Sequence, residues 1–491
     1  MNIKATIKNI ISNPTSFLLH NSGVKQTIAK NTFWLAVAEG ITRFLKFFLI
    51  IYIARILGAT EYGKFTFALA FVSLFVVFSD FGISTITTRE ISREREKEKE
   101  FPVILSLKFI LSILTLFLIY ISSFFITFDI ETRKIIWVLG IYIIISSFSG
   151  IIYSFFRARQ KMEYEAWAKI IQAFIVTGIG FFVLFNFPSI KNLSFAYLFA
   201  VLTTLFFLLF FFHFKVYSLK IEFNKIIWKR ILTMSWPLAL AGIFGVIYSQ
   251  IDSVMMGYWG QITQNGWYNA AYKITGITLI PVVLIYTSFY PVFSKAFKES
   301  RKNLQKIWDY YVQLMIFLAV PLVIGGTVLA SKIIDFIYDP SYIPSILAFQ
   351  ILIVTSGFLI LSNPFNQFLI ISDNQKKFFW ITLIGAIINI ILNFFLIPKY
   401  SLYGAAFTTL ITSLLIFFLL FEIISRIALI KILSYKLFLT FISSLISCVP
   451  MFFIITLPKV YNFNVLISIF VGTLVYSTTF FLIRKLINFN L

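Results

Sequence analysis

The stretch NTFWLAVAEGITRFLKFFLIIYIARIL, residues 31–57, is long and apolar enough to cross a bilayer as one helix, yet carries Glu39, Arg43 and Lys46 near its middle. A hydrocarbon core of about 30 Å needs about 20 residues of helix. A cation at the centre of such a helix costs roughly 2.5–3.5 kcal/mol on insertion scales, so it must face protein or water rather than lipid. Glu39, Arg43 and Lys46 stand at i, i+4 and i+7, inside an arc of about 60° at 100° per residue. One face of the helix is therefore a charged stripe. A local Glu39–Arg43 pair against a neighbouring helix would neutralise two of these charges and leave Lys46 unaccounted for.

The rest of the chain is built the same way, from apolar runs bounded by polar turns. Of its 491 residues 59% are hydrophobic and 13% charged, about half the charged fraction of soluble proteins. The polar breaks delimit about fourteen segments: 31–57, 62–88, 101–127, 133–157, 164–186, 193–214, 231–257, 266–294, 307–330, 343–371, 378–397, 402–424, 432–457 and 463–488. These runs are continuous rather than alternating, which predicts an all-α polytopic membrane protein and excludes a β-barrel.

A net charge of +22 invites a nucleic-acid reading. The distribution of the cations excludes it. With the N-terminus inside, thirty Lys and Arg fall on inward stretches and eight on outward ones, and four lie within segments. That asymmetry places both termini in the cytoplasm of a cell-membrane protein. Residues 1–30 lack a cleavable leader, because Asn13 and Pro14 interrupt the short apolar run; Ile3, Ile7, Ile10 and Ile11 with Lys4 and Lys8 fit an amphipathic helix on the inner leaflet. Cys448 is the single cysteine, and the two histidines, His20 and His213, sit near membrane edges, so no disulfide, metal site or cofactor is expected. The polar run Arg89–Glu100 has opposite charges at i,i+3 and predicts a solvated cytoplasmic helix.

Residues Glu61–Ala68 align with Gln264–Ala271 at an offset of 203, each following a glycine-containing outward turn (Gly58, Gly260). The offset puts six segments in each half in the same orientation, a parallel repeat of the kind transporters use. The expected organisation is an N-terminal cytoplasmic segment 1–30, a lobe 31–215, a cytoplasmic linker 216–230, a second lobe 231–425 and two further helices in 426–491.

Two more cations fall within segments. Lys108, near the start of segment three, either faces a cavity or extends to the interface; Lys273 lies in the outer half of segment eight. The carboxylates Asp80 and Asp252, with Glu39, are candidate counter-ions or proton or sodium carriers, Asp80 alternatively a helix cap. Gln172, Asn363, Asn366, Gln367, Asn389 and Asn393 are candidate cavity-lining groups; each serves equally as hydrogen-bond glue between helices. Pro364 beside Asn363 frees a backbone carbonyl at membrane depth. The chain has no phosphate loop ending in Lys-Ser/Thr, no His-Glu-x-x-His and no Gly-x-Ser-x-Gly, so it is not read as an enzyme.

Leu35–Ala70 with Arg43, Arg55-Ile56-Leu57-Gly58 and Glu61-Tyr62-Gly63, followed by Ser79-Asp80-Phe81-Gly82, resembles the opening of the polysaccharide-transporter family. That family belongs to the multidrug/oligosaccharidyl-lipid/polysaccharide flippase superfamily. Gln250–Gly257, Gly266–Ile274, Tyr290-Pro291-Val292-Phe293, Asn393–Tyr400 and Gly404-Ala405-Ala406 extend the resemblance over residues 30–425. It implies a V-shaped fold of fourteen helices. The implied activity is alternating-access movement of polyprenyl-diphosphate-linked oligosaccharide from the inner to the outer leaflet. The cavity cations would be Arg43, Lys46 and Lys273, with Lys108 as a fourth candidate, and a glycan polymerase and glycosyltransferases are the expected partners. Lipid II flipping, drug or cation antiport, and an oligosaccharide polymerase are the alternatives. Four cavity cations disfavour an organic-cation site, and outward loops of about a dozen residues or fewer disfavour a polymerase.

Overall fold

The computed structural model describes residues 23–428, 430–461 and 464–486. The amphipathic helix expected near residues 3–11, and His20, lie outside the described residues. Every regular element among the described residues is helical.

Twelve helical stretches are long and apolar enough to cross a membrane. Two of them each cover two predicted segments, which accounts for the fourteen. The first helix, α1 (Val24–Asp80), runs 57 residues, about 85 Å at 1.5 Å per residue and far more than one bilayer. It bends at Gly58, whose φ of 74° and ψ of 172° suit a residue without Cβ. A second long helix, Gln375–Ile427, bends in the same way at Ser401, where φ is 53°. Helix α1 ends where Phe81 and Gly82 both turn left-handed.

The chain packs as two compact units. Residues up to Leu57 with Ala68–Val246 form the first, and Gly58–Phe67 with the chain from Ile247 onward form the second. In the first unit α1 is followed by α2 (Ile83–Arg93), α3 (Phe101–Ile126), α4 (Ile130–Ala158), α5 (Met162–Asn186), α6 (Ile190–Lys215) and the opening turns of α7 (Lys225–Tyr258). Asp129 caps α4 by accepting from the backbone of Glu131 and Thr132, and Pro102 starts α3 where a missing N–H costs nothing. Phe101, Phe155 and Phe212 pack together, rings tilted or edge-on, within its core.

The stretch Arg89–Glu100 differs from the solvated helix expected. Helix α2 stops at Arg93, Glu94 is extended, and a short 3₁₀ turn covers Arg95–Glu100. Its charges are used for docking: Glu98 takes Arg159 at 2.6 Å, Glu100 takes Arg230, and Lys97 donates to the buried Glu90 at 2.7 Å.

The second unit holds α8 (Ile262–Thr278), α9 (Ile280–Glu299), α10 (Arg301–Val328), α11 (Ala330–Ile337), α12 (Ser345–Ile371), α13 (Gln375–Ile427), α14 (Tyr435–Thr456), α15 (Pro458–Tyr461) and α16 (Val465–Leu486). The predicted eighth segment is thus two helices, α8 and α9, joined through Leu279. Trp308, Tyr311, Phe365 and Phe368 fill the core, and α14 and α16 join it through Met451, Tyr476 and Phe480.

Within this unit residues 58–67 cross α8 at van der Waals distance, and the crossing is reciprocal. A methyl added at Gly63 would overlap the carbonyl oxygen of Ile262, and one added at Gly266 would overlap that of Ala59. Thr60 and Thr263 share a 2.8 Å hydroxyl contact. Gly63 and Gly266, Ala59 and Ile262, and Thr60 and Thr263 are each 203 residues apart, the offset read from the sequence. Small residues let the two backbones approach, as in membrane helix pairs generally.

Candidate functional site

Helix α1 lies along α5 because Ala38, Ala166 and Ile170 pack at the contact and Leu49 fills the space left by Gly180. A buried pair, Lys30 Nζ to Glu163 Oε2 at 2.9 Å, ties the first turns of the two helices. This packing brings the charged stripe of α1 beside the polar face of α5.

On α1 the Arg43 Nε donates to Glu39 Oε1 at 2.7 Å, with both side chains about half exposed. Lys46 is exposed, with the Glu39 carboxylate and the Lys169 ammonium as its electrostatic neighbours. On α5, Glu165 is fully buried; Lys169 Nζ reaches its Oε1 at 2.8 Å, and Arg157, from the end of α4, grips the same carboxylate at 2.7 and 2.5 Å. Arg157 also feels Asp80. One carboxylate thus holds two cations, and Arg43, Lys46, Lys169 and Arg157 outnumber Glu39 and Glu165 on this surface. Gln172, one turn beyond Lys169, is half-buried on the same face.

Arg157, Glu165 and Lys169 are functional candidates that the sequence reading passed over, Arg157 and Lys169 having been counted among the thirty inward cations. Lys169 falls inside the fifth predicted segment, and its i,i+4 spacing from Glu165 was the available signal.

The other first-unit candidates are placed differently. Lys108 is fully buried and donates to Asp80 Oδ1 at 3.1 Å and Ser147 Oγ at 2.7 Å. Asp80 also accepts from Ser84 at 2.5 Å, and Ser147 is 2.7 Å from Ser79. Both members of this pair are therefore satisfied within the protein. Burial disposes of the alternative in which Lys108 extends to an interface.

In the second unit Asp252, near the end of α7, is buried and receives neutral donors alone. Tyr268 hydroxyl donates to its Oδ2 at 2.5 Å and Thr409 to the same oxygen at 3.0 Å, while Asn393 Nδ2 donates to Oδ1 at 2.5 Å. Asn389 Oδ1 accepts from Asn393 at 3.0 Å and its amide donates to Thr412. Asn393 Oδ1 is buried without a donor. Among the described residues no Lys or Arg pairs with Asp252, and no group of three or more His, Cys, Asp and Glu forms a metal centre. Asn389 and Asn393 thus belong to the Asp252 cluster.

The remaining candidates divide. Lys273, half-buried on α8, has its ammonium 6.0 Å from the Tyr272 ring centroid. Asn363 accepts from Tyr311 at 3.0 Å, and Gln367 donates to the Tyr286 carbonyl at 2.9 Å, tying α12 to α10 and α9. Here the glue reading describes the contacts. The Asn366 and Gln367 side-chain oxygens are buried without donors.

The family model described as "Polysaccharide biosynthesis protein" matches residues 28–297, and that described as MatE matches 237–395. The chain is 23% identical over 398 residues to the capsular polysaccharide biosynthesis protein CapF of Staphylococcus aureus, covering 78% of this chain and 96% of that one. It is 23% identical over 467 residues to the "Probable low-salt glycan biosynthesis flippase Agl15" of Haloferax volcanii, covering 92% and 95%. Among solved structures it shares its fold with the lipid II flippase MurJ in an inward closed conformation (TM-score 0.74, 18% identity, 91% and 98% covered). A multidrug resistance transporter of the MATE family is also similar (TM-score 0.64, 15% identity, 78% and 95% covered).

Proposed function

We propose, from the premise that this chain belongs to the polysaccharide biosynthesis protein family, that it is a multi-pass membrane flippase for a lipid-linked glycan rather than an enzyme. The observation that carries the reading is the cation-rich surface of α1, α4 and α5. Cations at mid-helix positions such as Arg43 and Lys46 are expensive unless anions meet them, and Glu39 and Glu165 supply two negative charges against four positive ones. A diphosphate joining a polyprenyl tail to a sugar is such an anion. Arg43 is suited to fork onto phosphate oxygens, while Lys46 and Lys169 act as point charges. Lys273 is the second unit's own cation candidate for a phosphate-bearing head group. Lys108 drops out of head-group binding on this reading, because Asp80 already neutralises it.

The cargo passes from the cytoplasmic to the outer leaflet by alternating access, with both termini in the cytoplasm; the thirty-to-eight cation asymmetry supports that orientation. Asp252 is the coupling group. A buried carboxylate met by neutral donors, with the Asn393 oxygen beside it, suits a proton or a sodium ion. Asp80, held by a lysine, does not. A glycan polymerase and glycosyltransferases remain the expected partners.

The test uses the purified full chain in liposomes with a fluorescent polyprenyl-diphosphate sugar. Movement of the label across the bilayer without glycan lengthening is the expected result. Lengthening of the glycan would identify a polymerase, and transport of a cationic dye alone would overturn the reading.

A further inference from the structure

The antiparallel pair α5 and α6 encloses an apolar cavity of about 420 Å³ in the first unit, away from the charged face just described. Tyr164, Trp167, Ala168 and Ile171 line it from α5, and Thr204, Phe207, Leu208 and Phe211 from α6. At 100° per residue, the centre of the α5 lining and the centre of the Glu165–Lys169–Gln172 face point roughly 120° apart. Trp167, Ile171 and Phe207 are each about half exposed or more, so the cavity is an open groove on the flank of the helix pair.

One end of this groove is polar. Tyr164 and Phe211 meet there with ring centroids 5.2 Å apart. Lys161, one turn before Tyr164, holds its ammonium 5.8 Å from the Tyr164 ring centroid, and Lys215 stands one turn beyond Phe211 on the same face of α6. Both lysines are exposed, and neither is paired with a carboxylate among the described residues. Two uncompensated cations at the mouth of an aromatic, membrane-level groove are complementary to a phosphate with a hydrocarbon chain attached.

We propose that the α5/α6 groove is a binding site for an anionic phospholipid of the bilayer, with one acyl chain along Trp167, Ile171 and Phe207 and the phosphate between Lys161 and Lys215. This occupant is distinct from the cargo head group, which belongs to the opposite face of α5. The site therefore stands whether or not the cargo assignment holds. The acyl chain exchanges the bilayer interior for an equally apolar groove, so close packing holds the tail and the lysines supply headgroup selectivity.

The full chain is reconstituted in nanodiscs of equal phosphatidylglycerol and phosphatidylcholine, extracted into mild detergent, and its retained lipid measured by native mass spectrometry. The expected result is retention of phosphatidylglycerol over phosphatidylcholine by roughly tenfold, given the contribution of a lysine near an anionic headgroup. The double substitution Lys161→Gln/Lys215→Gln is expected to bring the ratio near one, and Lys161→Arg/Lys215→Arg to keep it. Ala168→Phe, which fills the groove, is expected to lower retention of both lipids. Equal retention by the wild type, or an unchanged ratio in the glutamine pair, would overturn the proposal. So would a groove that retains added undecaprenyl phosphate and excludes phosphatidylglycerol, which would assign it to the cargo tail.

Discussion

The two units handle charge inside a membrane in opposite ways. The first spreads cations over a surface: Arg43, Lys46, Arg157 and Lys169 are all at least partly exposed, restrained by carboxylates too few to neutralise them. The second buries Asp252 among hydroxyls and amides, with no cation paired to it among the described residues. An exposed surplus of positive charge is suited to a large polyanion that arrives with its own water and leaves again. A buried carboxylate with neutral donors is suited to a small cation that must be stripped of water to enter. On the proposed function, the contrast assigns cargo binding and ion coupling to two different places.

The comparison breaks most decisively at Arg43. Arg43→Glu is expected to reduce flipping of the fluorescent lipid in liposomes by roughly a hundredfold or more, since a charge-assisted phosphate contact is replaced by repulsion. Protein level in the membrane should be unchanged, and wild-type flipping would mean that the Glu39–Arg43 pair only neutralises itself. Asp252→Asn is expected to cost less, about tenfold, and to do so selectively. Flux driven by a proton or sodium gradient should fall to the rate seen without one, while flux driven by cargo concentration should persist. Equal losses with and without a gradient would make Asp252 structural.

Lys108 offers a sharper test of the division within the first unit. Lys108→Met leaves the partly exposed Asp80 without its cation and is expected to destabilise the protein by about 2 kcal/mol, the range for a hydrogen bond to a charged group. Adding Asp80→Asn should restore most of the thermal stability, and the double variant should still flip. Loss of flipping by a stable double variant would return Lys108 to the cargo site. The smallest effect is expected at Gln367→Leu, about 1 kcal/mol, from loss of its bond to the Tyr286 carbonyl. Its flipping rate should stay within twofold of wild type.

The membrane-spanning plan was legible because lipid imposes a simple rule: apolar for the length of the bilayer, polar beyond it. What escaped were breaks that need no polar residues. The turn between α8 and α9 passes through Leu279, and the end of α1 is made by Phe81 and Gly82, so neither interrupts the apolar run. The stripe of Glu39, Arg43 and Lys46 was visible because helical spacing alone puts them together. Arg157 and Glu165 were not, because they stand at helix ends where inner-loop charges are expected, and their contact is tertiary. For Lys108 the sequence carried the cation but not its partner, 28 residues away. Asn389 and Asn393 share a helix face by their i,i+4 spacing, but their partner Asp252 lies on another helix.

The crossing of residues 58–67 with α8 has a consequence for how such a chain changes over time. Its reciprocal contacts have the form of an isologous interface, in which residue i meets j and the counterpart of i meets the counterpart of j. Two separate copies of a half-length ancestor could have made this contact, and in that dimer every substitution would have appeared twice. Fusion into one polypeptide removes that constraint. At the position where the first half has Tyr62 the second has Asn265, whose amide donates to the Gly63 carbonyl and the Thr66 hydroxyl. The glycines stay mirrored because both backbones need the room. Their neighbours are free to specialise one side at a time.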